Sequence, residues 1–359
     1  MIAAEDLYKK LALQLERQLP CAAYRKPGSG KVVMLFQEDD TLHYIKDYSE
    51  QGFVCARFHS KTLPILIPAK NFVYCEDDKN KNRVRDAVPL PETNTARAAH
   101  LRLVSKGIEA IKKGQFEKVV LSRKEEIPLA QPEPVKIFKK LLNAYPEAFC
   151  YLWFHPAAGL WLGATPETLL KVEDHRFETM ALAGTQKAEK NTTVHWGEKE
   201  KEEHQWVVDF ITEHLRPFVR TLHVSDTYTA KAGPLFHLRT DISGTMQHSA
   251  YLQSVIQALH PTPAVCGYPK EAARQFILQH ENYNRDFYTG FLGELNFSVP
   301  ESRTATSSSL YVNLRCMQLK ERSALIYVGG GITRESVPEK EWQETVHKAQ
   351  TMRRVLHSG

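Results

Sequence analysis

The sequence predicts an α+β fold, one large domain of mostly antiparallel sheets with helices packed outside them, and three observations carry the expectation. Residues 149–155, 159–164, 168–172 and 176–183 are four consecutive apolar runs with no helical segment between them. Strands joined by such short links pair antiparallel, because a parallel crossover needs a dozen or more residues. Residues 31–74 hold further short runs, 32–36, 52–54 and 65–67, separated by turn residues, so the N-terminal part is strand-rich too. Elsewhere apolar residues recur at three- and four-residue spacing, the pattern of helices that lay one face on a sheet.

In chain order, residues 2–19 read as an amphipathic helix on Ile2, Leu7, Leu11, Leu15 and Leu19, stopped by Pro20. Residues 76–95 are polar, carry Pro89 and Pro91, and read as a connector. The chain thus divides into a strand-rich N-terminal part of the same domain, 1–96, and a main body, 97–355. Residues 98–113 form a helix with Leu101, Val104, Ile108 and Ile111 on one face and Gly114 as its stop. A strand over 116–127 and a helix over 134–143 lead into the four strands already described. After a polar loop at 187–197 and an acidic helix, residues 221–224 and 235–239 read as strands. Residues 249–259 follow as a helix with Leu252, Val255, Ile256 and Leu259 at core spacing. His260-Pro-Thr-Pro interrupts helix before a further one over 270–279. Strands over 290–297, 310–319 and 324–328 complete the set, and the last runs into Gly329-Gly-Gly331, a turn where backbone N–H groups can approach an anion. A helix from 339 to about 357 closes the chain.

With 359 residues, 42% of them hydrophobic and 25% charged, there is ample material for a globular core. No apolar run approaches the roughly 20 residues of a spanning helix, and residues 1–15 alternate charged and apolar side chains, unlike a signal peptide. A cytoplasmic protein with no membrane partner is expected. Six cysteines without Cys-x-x-Cys spacing read as reduced core thiols. The net charge of +5 is mild and the short basic cluster at 79–85 lacks interleaved aromatics, which argues against nucleic acid as a partner. In the absence of a coiled-coil heptad, a monomer is expected.

The most unusual stretch is Glu198-Lys-Glu-Lys-Glu-Glu-His204, running straight into Gln205-Trp-Val-Val-Asp-Phe-Ile211. On a helix Glu200 and Glu203 share a stripe with Val207, Phe210, Ile211 and His214, so two carboxylates fall on the face that should be buried. Buried carboxylates require a cation, either Arg, Lys or a hard metal ion. Glu341 and Glu344 repeat the spacing in the last helix, which suggests one shared ion. An acidic first turn that complements the helix dipole accounts for the same residues without any ion. That explanation is weakest for Glu203, on the apolar stripe. It is strongest for Glu344, which lies beside the core face of Trp342, Val346, Ala349 and Leu356.

Other residues are candidates by type and setting. Lys118 stands in a strand of Val, Val and Leu, where a desolvated lysine can serve as a base, unless it lies at the strand's solvated end. Glu167, after Gly163-Ala-Thr-Pro, sits at a tight turn between strands, either as a general acid in a cleft or as a surface turn residue. Arg315, flanked by Val312, Leu314 and Met317, is expected in a central strand, with its guanidinium meeting a carboxylate of the protein or of a ligand. His237, between Phe236 and Leu238, reads by default as a satisfied core histidine.

Six motifs in this order resemble those of the chorismate-utilising enzymes, the family that includes isochorismate synthases, salicylate synthases and the chorismate-binding components of anthranilate and aminodeoxychorismate synthases. They are Lys118-Val-Val-Leu-Ser-Arg, Gly163-Ala-Thr-Pro-Glu, Leu182-Ala-Gly-Thr, Glu200-Lys-Glu-Glu-His, Pro263-Ala-Val-Cys-Gly, and Gly329-Gly-Gly-Ile with Glu341-Trp-Gln-Glu-Thr. The resemblance covers about residues 97–355 and is to the isochorismate synthase branch. It implies that Lys118 activates a water that adds at C2 of chorismate while Glu167 protonates the departing C4 hydroxyl. It implies Mg2+ as cofactor, bound by Glu203 and Glu344 with Glu200 and Glu341 in support. It also implies substrate contacts from Gly184, Thr185, His237, Ala264, Tyr288, Arg315, Gly329 and Lys348. A basic lysine at 118 and Ala rather than Thr at 264 separate this branch from the amine-transferring relatives.

The nearest rival within the resemblance is a salicylate synthase, which would go on to expel pyruvate. A non-catalytic carboxylate-binding protein on the same fold would bind without turnover, and the presence of Lys118 and Glu167 argues against it. Residues 1–95 carry no family motif, and the segment 297–309 is longer than in some relatives.

Overall fold

A computed structural model describes residues 1–59, 62–77, 94–187, 194–232, 235–247, 252–299 and 307–357. The chain runs α1 (Ala4–Glu16), β1 (Cys21–Arg25), β2 (Lys31–Phe36), β3 (His43–Tyr44), β4 (Gly52–Ala56), β5 (Ile65–Pro68), β6 (Phe72–Glu76), α2 (Asn94–Lys112), β7 (Lys118–Pro128), α3 (Pro134–Ala144), β8 (Phe149–His155), β9 (Gly159–Thr165), β10 (Thr168–Glu173) and β11 (Arg176–Lys187). It continues through α4 (Glu198–Leu215), β12 (Val219–Val224), β13 (Tyr228–Ala232), β14 (Leu235–Met246), α5 (Leu252–Leu259), β15 (Gly267–Tyr268), α6 (Lys270–His280), β16 (Phe291–Leu295), β17 (Ser307–Val312), β18 (Cys316–Leu319), β19 (Ser323–Ile332) and α7 (Pro338–His357).

The strands form two sheets, and their described pairings are antiparallel, as the short links required. One sheet has the order β15-β7-β19-β18-β9-β8-β1-β2-β6, and the other β12-β14-β11-β10-β17-β16-β4-β5-β3, with β13 added beside β14. The sheets face each other across an aromatic layer in which Tyr24 and Phe149 of the first meet Phe53 and Tyr311 of the second. Phe149 and Tyr311 stack at 4.1 Å and Tyr24 and Phe53 at 5.1 Å. Fully burying side chains of this size stabilises by about 1.5–3 kcal/mol each. The outer face of the first sheet is covered by α1, α3 and α7 through Leu7, Leu11, Phe138, Leu141 and Met352. The outer face of the second is covered by α4 and α5 through Val207, Phe210, Ile211, Val255 and Ile256. The predicted α+β architecture, with helices outside antiparallel sheets, is borne out, and all six cysteines are buried and free. No helix among the described residues is long and apolar enough to cross a membrane.

Two local expectations are corrected. Residues 310–319 are two strands, not one: β17 belongs to the second sheet and β18 to the first, and the chain steps between them through Asn313–Arg315. Arg315 itself takes φ +47°, a left-handed turn that no continuous strand could contain. Gly329, Gly330 and Gly331 form no turn; they lie inside β19, paired with Ser122, Leu121 and Val120 of β7. Alternating apolar runs did not signal the short β1, β3, β13 and β15. The expected connector falls largely on residues 78–93, outside the described residues, as do parts of the 187–197 loop, the start of the 249–259 helix and residues 300–306.

Candidate active site

The chain passes directly from one sheet to the other at several places, and two of these lie side by side. At the first, β9 ends and β10 begins around Pro166-Glu167; at the second, β17 ends and β18 begins around Arg315. They are stitched together: Val312 N–H donates to the Glu167 carbonyl at 3.0 Å, Thr165 Oγ1 donates to the Val312 carbonyl at 2.6 Å, and Ala164 N–H donates to the Arg315 carbonyl at 3.0 Å. A carboxyl and a guanidinium are thereby fixed at one end of the space between the sheets. The side chain of Glu167 is buried at 4% exposure. The described hydrogen bond of Arg315 goes to Thr351 Oγ1 at 3.4 Å, which leaves donors for a ligand carboxylate.

Lys118 begins β7 and is 1% exposed, so the alternative of a solvated strand end is excluded. Its ammonium pairs with Glu203 of α4 at 2.8 Å, the cation that a carboxylate on the apolar stripe required. β19 runs next to β7 and reaches this pair through glycines. A methyl group added at Gly331 would lie 2.5 Å from Glu203 Oε1 and 3.1 Å from Lys118 Cε; one at Gly330 would lie 3.5 Å from Glu344 Oε1 and 3.6 Å from Glu341 Oε2. At Gly331 the Glu203 carboxylate comes down on the strand closer than a side chain there would allow, whereas at Gly330 the carboxylates of α7 lie at ordinary contact distance.

From the other side α7 supplies Glu341, Glu344 and Lys348. Lys348 forms an i,i+4 ion pair with Glu344 and donates to the Gly329 carbonyl at 3.0 Å. Tyr288 closes the same corner, its hydroxyl only 3.0 Å from where a side chain on Gly329 would begin.

The electrostatics separate the groups by role. Burial raises the Glu167 carboxyl to about 7, against the opposing pull of Lys118, Lys348 and Arg315, so near neutral pH it still holds a proton to give. His237 is neutral: burial, then Arg315, bring it down to about 3. Its Nδ1 lies 2.8 Å from the Gly184 carbonyl, which can only accept, so Nδ1 carries the proton. His204 is likewise brought down to about 4 by burial and by Lys118, and is tied to Thr240 Oγ1 at 2.8 Å.

One cavity collects Lys118, Glu167, Gly184, Glu200, Glu203, His237, Ala264, Tyr288, Arg315, Gly329, Glu341, Glu344 and Lys348. The side chain of Thr185 lies outside the described residues. His237, by default a core histidine, is a wall residue. Sequence reasoning named Val265, Gly330 and Gly331 only as members of motifs, with the triple glycine read as a turn, and did not name Thr289 or Tyr327; all five line the same space. The four carboxylates are hard oxygen donors of the kind that hold Mg2+. Among the described residues no group of three or more His, Cys, Asp or Glu is placed to hold a metal. An ion held by these carboxylates would have to complete its coordination with waters or substrate oxygens, as Mg2+ does.

Residues 66–357 match the family model of chorismate binding enzymes. The chain belongs to the chorismate-binding enzyme family. Among relatives within it, the chain is 32% identical over 262 residues to the salicylate biosynthesis isochorismate synthase of Pseudomonas aeruginosa, covering 70% of this chain and 53% of that one. It is 30% identical over 304 residues to the isochorismate synthase DhbC of Bacillus subtilis, covering 79% of this chain and 73% of the relative. The aligned part thus spans about half the length of the first of these relatives and about three quarters of the second. A crystal structure described as a putative 2,3-dihydroxybenzoate-specific isochorismate synthase, DhbC from Bacillus anthracis, superimposes with a TM-score of 0.80 at 23% identity, over 98% of this chain and 100% of that one. At that identity the likeness establishes the fold of a chorismate-binding enzyme, in agreement with the motifs.

Proposed function

We propose that the protein is an isochorismate synthase that isomerises chorismate to isochorismate with Mg2+ as cofactor. The observation that carries this reading is the placing of Lys118 and Glu167, a candidate base and a carboxyl still protonated near pH 7, on the walls of one cavity. In its neutral form Lys118 takes a proton from a water as the water oxygen bonds to C2 of the ring, becoming the ammonium that pairs with Glu203; the double bond shifts and the C4–oxygen bond breaks. Glu167 gives its proton to the departing hydroxyl, which leaves as water, so the net change is an isomerisation. Arg315, Tyr288 and the Gly329 backbone hold the enolpyruvyl carboxylate, with Lys348 adding charge. Gly184, Thr185, His237 and Ala264 shape the ring site, and the small Ala264 suits water as nucleophile. Glu203 and Glu344 would hold the metal, with Glu200 and Glu341 in support. When bound, Mg2+ supplies positive charge to the ring carboxylate. The names of the relatives support the same activity.

The test is incubation of the purified protein with chorismate and Mg2+, with and without EDTA, while products are separated and pyruvate is assayed. Isochorismate in equilibrium with chorismate, abolished by EDTA and without pyruvate, is the expected result. Stoichiometric pyruvate with salicylate would move the protein to the salicylate synthases, and no turnover would sink the assignment. A second expectation concerns β19. Gly331→Ala forces a methyl against Glu203 and Lys118, and misplacement of this size costs roughly 100-fold in kcat/KM. Near wild-type turnover by that variant would remove Glu203 and Lys118 from the proposed machinery.

A further inference from the structure

Behind the cavity wall lies a buried ion pair that the proposed chemistry does not use: Arg285 with Glu281, exposed by 2% and 1%. Arg285 Nε and Nη2 donate to the two Glu281 oxygens at 2.8 and 2.6 Å. Its other N–H groups donate to the Val265 carbonyl at 3.0 Å, Thr289 Oγ1 at 3.3 Å and the Val120 carbonyl at 2.6 Å. A guanidinium has five N–H donors in one plane, and here all five are used. Glu281 Oε1 accepts in turn from the Ser122 backbone N–H at 2.7 Å and its hydroxyl at 2.8 Å.

The partners belong to three walls of the cavity, Val120 and Ser122 both to β7. Val120 is two residues along β7 from Lys118. Val265 follows Ala264. Thr289 follows Tyr288, and Ser122 is the register partner of Gly329. The pair thus joins the strand of the base, the loop that faces the ring and the turn that faces the carboxylate. Lysine could not replace the guanidinium, because three donors on a flexible stem cannot reach acceptors spread around a plane.

We infer that Arg285, held by Glu281, is a positioning residue that fixes Lys118, Ala264 and Tyr288 relative to one another. The inference rests on the isochorismate synthase reading for its kinetic consequence but not for its structural one. The experiment compares wild type with the double variant Glu281→Leu/Arg285→Met, which removes both charges together and so leaves no buried ion uncompensated. Its melting temperature is expected to stay near that of wild type while kcat/KM for chorismate falls about 100-fold. Amide hydrogen exchange should quicken in residues 262–267 and 285–290 and remain unchanged in β1 and β2. If the double variant fails to fold, Arg285→Lys takes its place, since it keeps a charge beside Glu281 but not the planar set of donors. Its kcat/KM should still fall and exchange in 262–267 and 285–290 should still quicken, and wild-type values of both count against positioning. Wild-type turnover and exchange in the double variant would overturn the inference. Wild type that does not turn over chorismate at all would overturn the parent reading instead, and the exchange pattern alone would then decide the positioning role.

Discussion

Glu167→Gln is expected to lower kcat by about 10² to 10⁴, the usual range for removal of a general acid, and at the same time to make the protein more stable in alkaline solution. The carboxyl is buried and raised from an ordinary 4.5 to about 7, so the folded state binds its proton more tightly than the unfolded chain. The stability gained is complete below about pH 4.5 and is lost as pH rises through about 7. A shift of this size corresponds to about 3 kcal/mol. Glutamine keeps the shape without the charge, so the variant should gain stability over wild type by up to that amount at pH 8 and show little gain at pH 4. Denaturant titrations at the two pH values measure the difference. Equal effects at both would mean that Glu167 is not held protonated by burial.

The second large effect is expected at Lys118. Lys118→Ala should cost about 10² to 10⁴ in turnover for loss of the base. It also strips Glu203 of its cation, and breaking a buried pair from one side costs about 3–5 kcal/mol. Lys118→Arg separates the two consequences: a guanidinium keeps the pair but gives up no proton near neutral pH, so stability should largely return and turnover should not. Thermal melts in Mg2+ add a further check. A metal that shares Glu203 should stabilise Lys118→Ala more than wild type, since no ammonium competes for the carboxylate. A Lys118→Arg variant that retained turnover would exclude Lys118 as the base.

The main lines of the fold were legible because they rest on periodicity and link length. Four apolar runs between 149 and 183 became β8 to β11, and the acidic helix appeared with Glu203 on its inner face beside a cation. What was not legible came from contacts between distant parts of the chain. Gly329, Gly330 and Gly331 read locally as punctuation, since nothing nearby says that a carboxylate more than 100 residues upstream, Glu203, will crowd the space of a side chain at Gly331. Arg315 read as part of a strand because Leu310 and Leu319 bracket an apolar run, and only the two-sheet topology requires a break there. Glu281 and Arg285 lie in Glu-Asn-Tyr-Asn-Arg, a polar stretch that reads as surface; their burial depends on β7 and the 262–266 loop, which bring acceptors to all sides of the guanidinium. Site roles became readable only because several motifs in a fixed order resemble a family.

The placement of β1 to β6 has a consequence for any attempt to dissect the molecule. β1, β2 and β6 extend the first sheet beyond β8, whereas β4, β5 and β3 extend the second beyond β16. A fragment beginning at α2 would leave two open flanks, with unpaired N–H and C=O groups along Phe149–His155 and Phe291–Leu295, and would uncover the aromatic layer where Tyr24 and Phe53 had lain. Such flanks template pairing with another chain. The fragment that carries every candidate catalytic side chain is therefore a poor candidate for independent life in solution: its fate is self-association, and the first quarter of the sequence acts as the hem that keeps both sheets from unravelling into their neighbours.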